Sequence, residues 1–249
     1  MRSRLGFALV AVSVALAWHA PRAMAAAEVH RFNLVPSAVP TQVRADDFNS
    51  LIDQINRTQL EPRGLQPLGR IKLSWLLGAE LRYFVRQNVA VSAGVGRLKA
   101  SQSQEYLPAI RQSIVLSAHV TSVPIHAGAA YYFTPYNQGD FQARAYVGAG
   151  FMSLVNNRAT IRVDESGIVT GAASRVTGTN DAAGYYGEVG AHLFFASRFS
   201  VLLSGLYRNN EVRNLVDEAT GALLLNPQGQ PLTLDVGGAG VRMALGIGL

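Results

Sequence analysis

Six charged side chains fall on one face of an alternating sequence pattern, and they are the residues most able to act together chemically. Two are carboxylates and four are guanidinium groups: Glu80, Arg82, Arg144, Glu188, Arg208 and Arg242. An arginine binds a carboxylate through two parallel N–H donors. Because an unpaired charge in a narrow interior is costly, we expect each glutamate to lie between arginines. Such a network would fill an interior or, through its excess of positive charge, favour anions in a passage.

The histidines after residue 25 are the other candidates for chemistry, namely His30, His119, His126 and His192. Acyl transfer needs a serine nucleophile, a histidine base and an orienting acid. None of the four histidines begins a His-x-Ser triplet, although the sequence leaves open whether His119 meets a serine in three dimensions. Cysteine is absent, which removes disulfides, thiol catalysis and cysteine-ligated metals. We therefore predict no catalytic residues, no enzyme activity, no cofactor and no metal site.

The elements that must position these residues are strands with one apolar face. From Val241 to Leu249 the odd positions are large and apolar, whereas the even positions are small or charged. Residues 71–85, 141–152 and 185–195 repeat the pattern. Successive side chains of a strand point to opposite faces, so one face requires an apolar medium and the other a polar or tightly packed space. This alternation is typical of a transmembrane β-barrel. A soluble lipocalin-like barrel would instead turn its apolar face inward.

Seven strands are predicted from residue 71 onward, joined by alternately short and long connections. Since single-chain bacterial barrels have an even number of strands, Val29–Val35 is the expected first strand, with Phe32 and Leu34 facing outward. Near Thr121 the apolar positions shift from even to odd, which predicts a bulge. Three polar segments are predicted as loops: Lys99–Gln112, Asn156–Ala182 and Asn209–Pro231. The fold class predicted is all-β, an eight-stranded antiparallel transmembrane β-barrel with a short helix in the first loop region.

That helix is predicted between Asp46 and Thr58. Its apolar residues Phe48, Leu51, Ile52 and Ile55 follow a spacing of three and four, Asp46 is the expected N-cap, and Pro62 lies past the end. We expect the helix to lie over the barrel rim rather than to plug the interior.

The first 25 residues have the features of a secretory signal: basic Arg2 and Arg4, an apolar core, and the cleavage triplet Ala23-Met24-Ala25. The predicted domains are thus a signal peptide at 1–25, an N-terminal strand and loop helix at 26–70, and the barrel at 71–249. Removal of the signal lowers the formal net charge from +6 to +3, and no basic cluster with stacking aromatics appears. We therefore exclude nucleic acid as a partner.

Two neighbouring segments carry a family resemblance. Val123–Phe133 ends in Tyr-Tyr-Phe, and after a turn Ala145–Phe151 reads Ala-Tyr-Val-Gly-Ala-Gly-Phe. The chain resembles the small OmpA/OmpX/OmpW-like outer-membrane β-barrel proteins, with Leu249 in place of their usual terminal Phe. The resemblance implies a monomer in the bacterial outer membrane that contacts outer-membrane lipid, lipopolysaccharide and the barrel-assembly machinery.

Three functions follow from the sequence and the resemblance. The first is a structural or surface-interaction role through the extracellular loops. The alternative is a narrow channel for small or hydrophobic solutes, as in OmpW-like porins. An envelope lipid-modifying enzyme is the third hypothesis and lacks a motif of its own.

Overall fold

The computed structural model describes residues 30–109, 112–166, 173–195 and 198–249. Within these ranges, eight long antiparallel strands dominate the chain: β1 (Phe32–Gln42), β2 (Leu73–Arg86), β3 (Val89–Ala109), β4 (Gln112–Tyr132), β5 (Phe141–Ser166), β6 (Ala173–Phe195), β7 (Phe199–Asn209) and β8 (Gly238–Gly248). Each strand pairs with its neighbour in sequence, and β1 also pairs with β8. The sheet therefore closes into the eight-stranded barrel that the sequence predicts.

The two ends of the barrel differ. At the turn end, two residues join β2 to β3, and the described chain both starts and finishes there. The hairpin end carries helix α1 (Asp46–Ile55), a π-helical turn (Asn56–Leu60) and a 3₁₀ turn (Glu61–Arg63). It also carries the irregular segment between β7 and β8, with short strands at Glu211–Val212, Val216–Asp217 and Leu234–Asp235. Another short strand, Tyr136–Gln138, lies at the turn end.

The outer surface of the barrel is an apolar belt. Val241, Met243 and Leu245 of β8 are exposed, whereas Ala244 is buried, so the odd positions of this strand face outward as predicted. Aromatic side chains border the belt near both strand ends: Phe32, Tyr131 and Phe199 toward the turn end, and Trp75, Phe151 and Tyr185 toward the hairpin end. A strand rises about 3.3 Å per residue, so the ten steps from Phe141 to Phe151 span about 33 Å. With the tilt of barrel strands this distance matches a bilayer core.

The first strand is longer than predicted. Phe32 and Leu34 face outward as expected, but β1 runs to Gln42 rather than ending at Val35. Pro36 and Pro40 obscured this in the sequence because proline cannot donate a ladder hydrogen bond. Since both lie inside a strand with two neighbours, the closed ladder tolerates them.

Two of the three predicted polar loops are wrong. Lys99–Gln112 lies mostly in the hairpin of β3 and β4, and Asn156–Ala182 lies mostly in that of β5 and β6. Both hairpins continue well beyond the apolar belt, where their outward side chains meet water. Only 209–231 is largely irregular, as predicted.

The β4–β5 register shifts between Thr121 and Val123, where the sequence predicts a bulge, but the predicted phase shift within β4 is wrong. Leu116, Ala118 and Val120 point inward, on the same even face as Ser122 and Tyr132. The bulge lies instead in the partner strand β5, between Leu154 and Asn157, where Asn156 has a positive φ of 54°. The apolar side chains of β4 change faces because the surroundings change. Lipid surrounds the part of the strand near the turn end, and water surrounds the part near the hairpin end.

Helix α1 is confirmed, but its N-cap is not Asp46. The cap is Ala45, in a left-handed conformation with φ of 34°, and no side chain caps the helix. Phe48 and Ile52 are buried in an apolar cluster that closes the hairpin end of the interior, which we name the hairpin-end core. The helix therefore packs into the barrel mouth as well as lying across it.

Among the described residues, no helix is long and apolar enough to cross a bilayer. The predicted signal at 1–25 and the residue Val29 lie outside the described residues.

Candidate functional site in the barrel interior

Strand alternation directs four of the six predicted charged residues to one level of the interior. Glu80 and Arg82 lie on β2, Glu188 on β6 and Arg242 on β8, with 2%, 1%, 8% and 6% of their surfaces exposed. Glycine on the neighbouring strands makes the space for them. A Cβ at Gly148 would lie 3.0 Å from the Cγ of Glu188.

These four side chains form a closed network of two acids and two bases. Arg82 donates from Nε to Glu80 Oε1 at 2.8 Å and from Nη2 to Glu188 Oε1 at 2.9 Å, and its Nη2 also lies 2.7 Å from Glu80 Oε1. Arg242 donates from Nη1 to Glu80 Oε2 at 3.0 Å and lies 3.5 Å from Glu188 Oε2. Each carboxylate thus lies between the same two arginines, so the network is neutral overall.

Aromatic hydroxyls and a histidine complete the network. Arg82 Nη1 donates to the hydroxyl of Tyr132 at 2.7 Å, and its guanidinium lies 5.1 Å from the ring centre of Tyr146. Tyr146 donates to Glu188 Oε2 at 3.3 Å, while His126 Nε2 lies 3.2 Å from Glu80 Oε2. Paired in this way, the buried charges link β2, β6 and β8 across the interior.

A buried serine and histidine pair lies on the turn-end side of the network, and the sequence analysis did not predict it. His192 Nε2 lies 2.8 Å from Ser200 Oγ, and His192 Nδ1 lies 3.1 Å from the hydroxyl of Tyr132. Both His192 and Ser200 are buried, and the group that orients the histidine is a tyrosine rather than an acid. The alternation of β7 would have placed Ser200 inward, but nothing in the sequence pairs it with His192.

Arg144 and Arg208 do not join the four-residue network, contrary to the prediction. Arg144 donates from Nε to Gln142 Oε1 at 2.6 Å and from Nη1 to the backbone oxygen of Gln87 at the turn end. Arg208 lies toward the hairpin end and donates from Nη2 to Thr41 Oγ1 at 2.6 Å. The sequence gives the face of each arginine but not its height along the barrel.

Apolar side chains fill the interior on both sides of the network. Toward the turn end lies a cluster that we name the turn-end core: Val35, Phe84, Ala90, Ala130, Tyr132, Tyr146, Phe194, Leu202 and Ala244. Toward the hairpin end lies the hairpin-end core, which includes Phe48, Ile52, Leu98, Val120, Leu154, Leu215 and Leu232. Between them a cavity of about 50 Å³ is lined by Glu80, Glu188, Arg208 and Arg242, among others.

In the structure, His119 lies opposite a serine. His119 pairs directly with Ser101 of β3 and with Thr160 of β5. The charged groups that act on its ring are Lys99 and Arg162, and burial together with these cations lowers the pKa of His119. A positive setting opposes the imidazolium that a serine–histidine mechanism must form. No group of three or more metal-ligating side chains occurs among the described residues.

The closed pairing, the outward apolar belt and the filled interior decide the architecture. The fold is that of a small outer-membrane-type β-barrel. No family model and no curated protein sequence matches the chain.

Among solved structures, the chain is similar to the N-terminal β-barrel domain of Pseudomonas aeruginosa OprF. The identity is 13% and the TM-score 0.37, and the match covers 88% of this chain and 98% of that chain. It is also similar to Ail, the attachment invasion locus protein of Yersinia pestis, with 10% identity, a TM-score of 0.35, and coverage of 88% and 98%. The outer membrane protease OmpT from Escherichia coli matches with 8% identity, a TM-score of 0.21, and coverage of 87% and 93%. At these scores the fold assignment rests on the strand pairing of the chain itself.

Proposed function

We propose that this protein is a non-conducting barrel of the bacterial outer membrane whose hairpin end is a rigid surface for contacts outside the cell. The observation that carries the proposal is the packing of the interior at three successive levels: the turn-end core, the charge network and the hairpin-end core. A solute path along the axis would have to displace all three. The packing therefore favours a structural and surface-interaction role over a channel.

The hairpin end supports a surface role because it is folded rather than loose. Strands β3 to β6 continue beyond the apolar belt as paired strands, and Phe48 and Ile52 of α1 close their interior. A folded extension presents its outward side chains at fixed positions, which lowers the entropic cost of binding a partner.

The first partner that we propose is lipopolysaccharide. A row of outward side chains runs from Trp75 to Lys99, Thr121 and Arg158 on adjacent strands, and Arg97 lies next to it. Trp75 borders the apolar belt, so the cations lie at the height of lipid headgroups. Lysine and arginine bind phosphate through charge-assisted hydrogen bonds. Among the described residues Arg97 and Lys99 have no carboxylate within 4.0 Å, which leaves both free to bind phosphate.

Conductance across planar bilayers tests the non-conducting state. We expect no discrete openings from the purified chain at any voltage up to membrane rupture, because the filled interior leaves no continuous water path. Heat-modified mobility on the same preparation verifies that the barrel is folded and inserted. Discrete, reproducible openings from folded protein would contradict the proposal and favour the channel alternative.

Charge removal tests the contact with lipopolysaccharide. Thermal unfolding of the wild-type barrel is compared with that of an Arg97→Gln/Lys99→Gln variant in neutral phospholipid vesicles, with and without lipopolysaccharide. We expect lipopolysaccharide to raise the midpoint of the wild-type protein and to have a smaller effect on the variant. The exposed control Arg213→Gln keeps the full effect. Equal gains in all three proteins would refute this contact surface.

A further inference from the structure

Two buried interior arginines, Arg144 and Arg208, have no carboxylate within 4.0 Å among the described residues. Arg144 donates to Gln142 and to the Gln87 backbone at the turn end, so Arg208 is the one that lies beside the network. Glu80 and Glu188 are balanced by Arg82 and Arg242, whereas Arg208 is 1% exposed and has no carboxylate within 4.0 Å among the described residues. Its one described hydrogen bond is to the hydroxyl of Thr41, and its Nε is buried without a partner.

The nearby acid Asp235 does not neutralise Arg208 by direct contact. Its Oδ1 accepts the backbone N–H of Gly237 at 2.7 Å, and its Oδ2 lies 3.7 Å from Arg44. An arginine remains protonated at any ordinary pH, so it cannot escape burial by losing its charge. A buried, unpaired cation costs several kcal/mol, which makes a counter-charge at Arg208 strongly favourable.

The space for a counter-charge lies beside Arg208. The cavity of about 50 Å³ is lined by Arg208 and by Arg242, whose Nε is also buried without a partner among the described residues. A cavity of this size has room for a water-sized or larger group. Glu80 and Glu188 line the same cavity, but Arg82 and Arg242 already neutralise them.

We propose that the cavity holds a small monovalent anion of the halide class, bound at its Arg208 end. The anion supplies the negative charge that the interior lacks, with the guanidinium of Arg208 as its principal ligand. This internal site is independent of the surface role proposed above, because it requires neither conduction nor an external partner.

The test is the dependence of stability on the anion. The folded full chain in detergent is unfolded thermally while sodium chloride replaces sodium gluconate at constant ionic strength. A ligand bound only by the folded state raises the folding equilibrium constant in proportion to its concentration above Kd. We expect the midpoint to rise and then saturate with chloride or bromide, and this rise to disappear in Arg208→Met. The exposed control Arg213→Met retains it.

A direct measurement on the wild-type protein keeps the proposal testable even where Arg208→Met does not fold. Crystals grown in bromide are expected to show an anomalous scattering peak beside Arg208. Water density alone at this position, or a chloride response of equal size in folded Arg208→Met, would overturn the proposal.

Discussion

At the scale of single residues, the centre of the interior is organised by the pairing of two arginines with two glutamates. Arg82 contacts both carboxylates and the hydroxyl of Tyr132, so each of its donors has a different acceptor. Burying such a group is costly, and the pairing recovers much of that cost. Removal of one member is therefore more damaging than the number of its hydrogen bonds indicates.

Glu80→Gln tests this directly. The amide keeps the shape of the side chain but leaves Arg82 and Arg242 with one carboxylate between them. We expect a loss of about 3 kcal/mol in the free energy of unfolding, since a broken buried pair costs roughly 3–5 kcal/mol. Urea titration in lipid vesicles, followed by the fluorescence of Trp75, measures the change.

The matched control is Glu218→Gln, which removes the carboxylate of the exposed ion pair between Arg158 and Glu218. Exposed pairs contribute about 0–1 kcal/mol, so this variant should unfold close to the wild-type protein. Similar values for the two variants would show that the interior network is solvated and contributes little.

A second prediction concerns the inner glycines. A Cβ at Gly94 would lie 2.6 Å from the backbone oxygen of Ala79 and 2.6 Å from the His126 ring, whereas a Cβ at Gly205 would meet nothing within 4 Å. We expect Gly94→Ala to destabilise the barrel by about 1–3 kcal/mol, as overpacking does. Gly205→Ala should be nearly neutral in the same urea titration. A neutral Gly94→Ala would show that β2, β3 and β4 adjust without strain.

At the scale of elements, the long strands cross from one medium into another without changing phase. In β4 the even side chains point inward along its described length, yet they change from polar and aromatic in the lower part to aliphatic at Leu116, Ala118 and Val120. Lipid outside the lower barrel permits a charged interior. Water outside the upper barrel requires an apolar interior, which the hairpin-end core provides.

Cysteine labelling tests the orientation of the upper strands, because the chain contains no cysteine of its own. We expect Ala118→Cys to resist a water-soluble maleimide in the folded protein, since this position is buried in the hairpin-end core. Ser101→Cys, exposed on the neighbouring strand, should react rapidly. Rapid labelling of both would mean that Ala118 faces outward, as the phase shift predicted near Thr121 requires.

At the scale of the whole molecule, the height of an exposed apolar residue along the barrel decides whether lipid or water surrounds it. Val189 lies in the apolar belt with 60% of its surface exposed, and Val176 lies on the same strand beyond the belt with 48% exposed. The two sites share a residue type and a strand, but Val189 faces lipid, whereas Val176 lies on the inward face beyond the belt and is open to water at the hairpin end. Transfer of the same charge to each site therefore measures where the membrane ends.

Val189→Arg should destabilise the barrel in vesicles by about 2–4 kcal/mol, the cost of arginine facing the middle of a bilayer. Val176→Arg should change the stability by less than about 1 kcal/mol, because water solvates the new charge. The free energies come from urea titration of both variants in the same lipid. Equal costs at the two sites would refute the proposed position of the belt.

The sequence alone determined the barrel, its outward face and the inward direction of Glu80, Arg82, Glu188 and Arg242. These follow from alternation with a period of two, which is local and survives in any register. Even the outward placement of Phe32 and Leu34 on the first strand could be predicted in this way.

Only the tertiary structure decided which inward charges meet, because height along the barrel depends on the register of all eight strands. Register brought Arg82 and Arg242 to both glutamates, and it left Arg208 near Thr41 without an acid. The tertiary structure also decided that residues 99–109 and 156–166 are strands. Their polar faces indicated loops, and only the packing of α1 over an apolar interior shows that water surrounds a folded extension there.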